Sequence, residues 1–377
     1  MKQLTIISHT EHYRNADGKL VGFGATVTEI NNLLDIFDSI VHVAVLYDTE
    51  VPSSALPYQS EAIRFIALPV VGGKSLKDKF QVLLKAPEIL RTIRHSLKGS
   101  THFQFRAPTG MGVYVIPYLM FFCSKSGWFK YAGNWKQEHA PLAYRFQKWL
   151  LTNQNRKVTI NGHWENQPKH CISFENPCLT EQELRDGMFV RREKRLNHKR
   201  LALCFVGRLE AAKGFDLFLE SLNALPEDFK DRIDTVHMVG EMRDDGLKND
   251  VIIPGVSVAY HGTLPRHELH DIYRQSHFIV LPSKSEGFPK VISEALNFGC
   301  VPVVSNVSAI GQYIENGKHG VLIEELTQAC LVSKLEECIN MDINKFKSLI
   351  TQQGPFYHQF SYKHYNQRIL KEVLAKL

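Results

Sequence analysis

The sequence predicts an α/β protein of two domains, each built on a parallel sheet, and three observations carry that reading. Short apolar strands alternate with helical segments through both halves of the chain, the pattern of parallel strands covered on both faces. A polar, basic stretch over 175–199 interrupts the alternation. The 377 residues suffice for two ordinary domains that each bury a core. The expected division is 1–174, a linker over 175–199 with room for a short helix, a second domain over 200–360 and a terminal helix over 361–377.

In the first half, residues 3–8 (QLTIIS) and 40–47 (IVHVAVLY) read as strands, as do 64–70 and 102–106. Residues 24–37 place Val27, Ile30, Leu33, Leu34 and Phe37 at helical spacing, and so does 76–97, where Pro87 starts a second helix. Over 185–200 seven basic and two acidic side chains mark the linker. The second series has strands at 201–206, 233–239, 256–261, 278–281 and 301–304. Helices lie at 213–222 and about 287–298. Over 362–377, Tyr365, Ile369, Val373 and Leu377 share one helical face.

Composition narrows the functional classes. The longest apolar stretch, 111–123, has 13 residues and contains Pro117, short of the roughly 18 needed to span a bilayer. Met1-Lys2-Gln3 runs directly into a strand, so no signal peptide is expected. Seven cysteines without any C-x-x-C pair suggest reduced thiols in a cytoplasmic protein. Residues 1–174 hold 20 Lys+Arg against 12 Asp+Glu, whereas the other 203 residues hold 25 against 27. A basic first half suits an anionic partner, although the same charge also serves solubility alone. The charge is dispersed and no nucleic-acid-binding module is present, so a nucleic-acid partner is not expected.

The strongest chemical pattern lies in the second half. Strand LALCFV ends in Gly207-Arg208, and Lys213-Gly214 follows at the next helix start. Two cations beyond the carboxyl end of a strand suit a diphosphate, since ligands of open α/β sheets bind there and helix N-termini attract anions. The second piece runs from Glu286 through Gly287, Phe288, Pro289 and Lys290 to Glu294. Eight residues of helix separate the two acids by roughly 12 Å, a reach for one extended ligand and too far for a shared proton. Between them, free N–H groups would face the middle of that ligand. The plain alternative is an acid favouring a helix start, with Glu294 in solvent.

Together, FVGRLEAAKGFDLFLESL and VLPSKSEGFPKVISEALNFGCVPVVSNVSAIGQYIENGKHGVLI resemble the family-4 retaining glycosyltransferases of GT-B fold (glycosyl transferases group 1). The resemblance is close over 200–325 and looser over the first half. It implies two Rossmann-like domains whose parallel sheets face a cleft, with the last helix crossing back to the first domain. It further implies that Arg208 and Lys213 hold the diphosphate of a UDP-sugar or GDP-sugar. Glu286 would bond hydroxyls of the transferred sugar, and Glu294 those of the ribose. Backbone N–H groups of Gly287, Phe288 and Lys290 would face the sugar and phosphates, the segment Tyr260-His261-Gly262-Thr263-Leu264 the nucleobase, and Gly22 and Gly24 the donor phosphates. The lone Gly22-Phe23-Gly24 comes too late after its strand for a dinucleotide fingerprint.

The family's His-Asp pair has no counterpart here; the matching position reads Tyr131-Ala132-Gly133-Asn134-Trp135. His9, His12 and His139 read as loop or surface histidines. No D-x-D element offers a metal site, Asp244-Asp245 reads as solvent-facing, and neither metal nor cofactor is expected beyond the donor. The reaction implied is metal-independent hexosyl transfer to a glycan or lipid-linked acceptor in polysaccharide, lipopolysaccharide or capsule biosynthesis. Lys74, Lys77, Lys79, Lys85, Arg91, Arg94 and Lys98, beside Leu76, Phe80, Leu83 and Leu84, read as a basic amphipathic element. Such an element suits the anionic inner face of the plasma membrane, and equally an ordinary helix with its lysines in water. Two alternatives stay within the fold: a nucleotide-sugar epimerase and a non-catalytic scaffold.

Overall fold

A computed structural model describes residues 2–73, 76–137, 139–243, 252–351 and 354–375. The chain divides into two compact units: Met1–Glu175 with Tyr362–Leu377, and Asn176–Ser361.

The first unit contains β1 (Gln3–Arg14), β2 (Leu20–Phe23), β3 (Ser39–Leu46), β4 (Ala55–Pro57), β5 (Ile63–Leu68), β6 (His102–Ala107), β7 (Ser126–Tyr131), β8 (Val158–Ile160) and β9 (Cys171–Ser173). The order β5-β3-β1-β6-β7-β8-β9 is parallel throughout. Around it lie α1 (Gly24–Leu33), α2 (Leu76–Leu84), α3 (Ala86–Leu97), α4 (Gly112–Phe121) and α5 (Leu142–Thr152). Period-two burial explains the two covered faces. Ile7, Phe103, Phe105 and Phe129 pack with Ile89 and Ile93 of α3, whereas Leu4, Ile6 and Trp128 pack with Ile30 and Leu33 of α1.

Two departures from the sequence reading shape this unit. β1 continues past Ser8 to Arg14 and folds back through a turn at Asn15–Gly18 onto β2, which pairs antiparallel with it. The turn is held by Asn15 Oδ1, which accepts from Lys19 N at 2.8 Å, and Gly18 supplies a φ of 74°. The helix expected over 24–37 ends at Leu33, where Asp35 and Phe37 close a final turn back to Asn32 and Leu33. In α1, the buried Glu29 carboxylate is met by Lys130 of β7 at 2.5 Å and Arg106 of β6 at 3.0 Å.

The second unit has β10 (Leu201–Val206), β11 (Ile233–Val239), β12 (Val258–Gly262), β13 (Phe278–Leu281), β14 (Val301–Ser305) and β15 (Val321–Ile323). All are parallel, in the order β12-β11-β10-β13-β14-β15. Its helices are α6 (Glu181–Glu193), α7 (Phe215–Ala224), α8 (Glu227–Lys230), α9 (Arg266–Gln275), α10 (Lys290–Asn297), α11 (Ile310–Tyr313), α12 (Gln328–Ile339), α13 (Ile343–Thr351) and α14 (Gly354–His358). The strand order reverses between β10 and β13, the switch point where open sheets of this kind bind ligands beyond their carboxyl ends.

Within 175–199, read as a linker with room for a short helix, the chain forms the 13-residue α6. Thr180 and Glu183 build a capping box, each side chain bonding the other's backbone N–H. The helix buries Leu184, Gly187 and Arg191, and Arg191 and Gly187 lie against Asn297 of α10. After Ser361 the chain returns to the first unit as α15 (Tyr362–Arg368), followed by a π-helical turn over Ile369–Val373. Tyr365 and Ile369 enter the core beside Leu4, Ile6 and Trp128, with Val373 at its edge. Leu377 lies outside the described residues.

Candidate functional site

The switch point of the second unit brings two distant segments together. β10 leads through Gly207 into Arg208, and β13 leads through Ser283 to Glu286. Lys213 closes a short 3-10 turn, Ala211–Lys213, and Gly214 then adopts φ 73°. A side chain there would strike the Pro282 carbonyl, so the two segments approach as only glycine allows. The helix expected from 213 therefore begins at Phe215.

Lys213 Nζ is ion-paired with Glu286 Oε1, and the buried Ser283 hydroxyl donates to the same oxygen at 3.0 Å. Lys213 and Glu286 are both largely shielded, at 21% and 11% side-chain exposure. Two residues given separate tasks by the sequence reading thus form one unit. Arg208 is half exposed and pairs with Glu210 at 3.0 Å. It lies five residues before Lys213 in the chain and is not bonded to the Lys213–Glu286 pair.

The acid pair also differs from the expectation of one helix. Helix α10 starts at Lys290 with Pro289 as its cap, so Glu286 lies in the preceding loop and the 12 Å helical separation does not apply. That loop is anchored by Phe288, stacked on Phe360 at 5.1 Å and against Tyr313 at 4.7 Å. Glu294 is buried in α10, not solvated on the surface. Arg266, at the start of α9, reaches Glu294 Oε1 at 2.6 Å and Glu183 Oε1 at 2.7 Å. Burial alone would raise the Glu183 carboxyl, but Arg266, the Thr180 N–H and His270 together hold it below the usual carboxylate value. Neither Arg266 nor Glu183 figures in the sequence reading. Leu264 packs two residues before Arg266 at the edge of the core formed by Ile272 and Ala295.

In the first unit, Gly22 and Gly24 have packing reasons of their own. A Cβ on Gly22 would enter the His12 ring at 2.5 Å, and one on Gly24 would strike the Ser54 carbonyl. His12 is fully buried, which corrects its reading as a surface histidine. Its Nδ1–H donates to the Thr10 carbonyl at 3.0 Å, so Nε2 accepts from the Tyr58 hydroxyl at 2.8 Å. Burial pushes the His12 imidazole down to about 4, and it stays neutral at pH 7. His9 bonds the Val71 carbonyl at 2.7 Å, and His139 is exposed. Lys74, Asp244 and Asp245 lie outside the described residues, as do the side chains of residues 76–79.

Two Rossmann-type units, with the last helix returned to the first of them, define an α/β protein of GT-B fold. Residues 188–354 match the family described as glycosyl transferases group 1. A D-inositol 3-phosphate glycosyltransferase of Rhodococcus jostii is 26% identical over 194 residues, which is 49% of this chain and 43% of that protein. The chain spans about half the length of the first curated relatives it matches. Among solved structures, a UDP-forming α,α-trehalose-phosphate synthase from Burkholderia xenovorans, in complex with glucose-6-phosphate, superposes with a TM-score of 0.71. It is 11% identical, over 98% of this chain and 99% of that one. WaaG, a glycosyltransferase involved in lipopolysaccharide biosynthesis, gives 0.67 at 14% identity, over 98% and 100%.

Proposed function

We propose that the chain is a retaining, metal-independent glycosyltransferase that moves a hexose from a UDP-sugar or GDP-sugar to a glycan or lipid-linked acceptor. The observation that carries this reading is the Lys213–Glu286 pair at the β10/β13 switch point, with a glycine-led loop beside it. In the proposed reaction the acceptor hydroxyl bonds to the anomeric carbon as the bond from that carbon to the diphosphate oxygen breaks. The departing diphosphate takes the hydroxyl proton. Lys213 and Arg208 meet the charge that develops on it, together with the backbone N–H groups of Gly287, Phe288 and Lys290. Glu286 orients the sugar through its hydroxyls, and Glu294 with Arg266 faces the ribose. The match of residues 188–354 to the family and the lipopolysaccharide role of WaaG support a place in polysaccharide or glycoconjugate synthesis.

Calorimetric titration with UDP, GDP and ADP tests the donor side. One nucleotide should bind at micromolar strength, and turnover of its sugar should survive EDTA. Glu286→Gln should lose most turnover while binding that nucleotide as the wild type does. Equal turnover in the variant would remove Glu286 from the mechanism, and nucleotide-sugar conversion without any acceptor would favour an epimerase.

Helices α2 and α3 support attachment at an anionic membrane surface. Phe80, Leu83 and Leu84 are exposed beside the exposed Lys85, Arg91 and Arg94. No helix among the described residues is long and apolar enough to cross a membrane. The protein should sediment with vesicles containing phosphatidylglycerol, and Leu83→Ser with Leu84→Ser should release it. Equal sedimentation of wild type and variant would place the contact elsewhere.

A further inference from the structure

The first unit holds a pocket of about 300 Å³ between the loop after β7 and one face of α5. Its floor is Tyr131 and Trp135, packed edge to face at 4.9 Å and buried. Its wall is Tyr144, Arg145, Lys148 and Trp149, which the helical repeat places along a single side of α5. Helix α5 is fixed from its opposite face. There, Gln147 is fully buried, accepts from Thr109 N at 3.1 Å and donates to Thr109 O at 2.8 Å. The pocket is therefore assembled before any ligand arrives.

Its chemistry is one-sided. Trp149 is 58% exposed and braced from behind by Phe146, the rings stacked at 6.1 Å, so a broad aromatic face is offered to solvent. Lys148 lies over the Trp135 ring at 5.2 Å. Burial, and then the charge of Lys136, hold its ammonium below the usual value. Arg145 is exposed beside it, and neither cation is paired with a carboxylate among the described residues. Among the described residues no Asp or Glu lines the pocket, and Asn134 and Gln137 add neutral polar groups. An aromatic face next to two cations without a carboxylate partner among the described residues fits the apolar C–H face of a sugar ring that carries an anion.

We propose that this pocket binds an anionic sugar of the acceptor, its ring on Trp149 and Tyr144 and its phosphate or carboxylate on Lys148 and Arg145. Assignment of that sugar to the acceptor rests on the transferase reading above; the binding of an anionic sugar does not. The acceptor would thus be a saccharide already modified by a phosphorylating or uronic-acid-forming step.

Binding to the whole protein is measured with mannose 6-phosphate, glucuronate, mannose and inorganic phosphate, alongside the UDP and GDP titrations. At least one of the two anionic sugars should bind ten or more times tighter than mannose or phosphate, and which one does identifies the anion. Lys148→Ala and Trp149→Ala should each lose tenfold or more, and Lys148→Arg should keep most of the affinity. All three should keep the wild-type nucleotide affinity and thermal transition. Equal binding of mannose or inorganic phosphate, or indifference to both alanine variants, would overturn the proposal, and so would nucleotide binding without any sugar binding. Anionic-sugar binding in a protein that takes neither UDP nor GDP would keep the pocket and overturn the transferase reading.

Discussion

Lys213→Ala should bind its nucleoside diphosphate about 10- to 150-fold more weakly than the wild type, the loss of one charged hydrogen bond worth roughly 1.5–3 kcal/mol. Calorimetry reads this directly. The structure adds a second expectation that a solvated lysine would not carry. Because Glu286 is shielded and paired with Lys213, the alanine variant leaves that carboxylate with Ser283 alone. A stability cost of about 1–3 kcal/mol should follow. The double variant with Glu286→Gln should recover part of the stability and none of the nucleotide affinity, because the two residues couple in the fold and separate in their ligand tasks. Nucleotide affinity unchanged by Lys213→Ala would move the diphosphate away from the β10/β13 switch point.

Arg266→Ala should be the most damaging single change to the second unit. It strands two shielded carboxylates, Glu183 and Glu294, that one guanidinium now joins. Breaking a buried pair by removing one partner costs roughly 3–5 kcal/mol. The penalty should depend on pH with a defined sign. In the wild type the Glu183 carboxyl is held below its ordinary value, so its contribution is complete above the unfolded value and fades as pH falls through the folded one. In the variant Glu183 loses the cation that opposes its burial and so favours the protonated form. The gap in urea midpoint between wild type and variant should therefore narrow from pH 7 to pH 5. A gap of constant width would show that lost packing, not stranded charge, is the cause. Arg266→Lys should restore only part, since an ammonium cannot span both acids as the planar fork does.

The strands of the second unit were legible because β10, β13 and β14 are continuous apolar runs bounded by turn residues, a signal that survives without tertiary context. The region of the candidate site was legible for a related reason: Gly207-Arg208 and Ser283–Glu286 each follow such a run directly. Their mutual pairing was not, because 73 residues separate Lys213 from Glu286 and only the sheet order makes them neighbours. Arg266 escaped for the same cause, as it answers acids 83 and 28 residues away. Helix α6 was legible only as a short helix within a linker, its 13-residue length obscured by its polarity, although Thr180 and Glu183 stand at capping-box spacing. The hairpin of β1 and β2 was announced only by Asp17-Gly18, flanked on one side by the polar sequence His9–Arg14, which lacks the alternation of a half-buried strand. Gly22 and Gly24 show the converse: glycines with a phosphate-loop appearance whose bare α-carbons make room for a histidine ring and a carbonyl.

The return of the chain to the first unit after Ser361 sets an order of events during synthesis. Tyr365 and Ile369 belong to the same core as Leu4, Ile6 and Trp128, yet they leave the ribosome after the whole of Asn176–Ser361. The unit begun first is thus the unit finished last. Until then, Leu4, Ile6 and Trp128 lack part of their cover, and the buried Lys130 lacks the Tyr365 ring it lies over. The second unit is a continuous stretch of chain that can close while the first still waits, a vectorial arrangement in which the nascent first half is the part most exposed to misassociation.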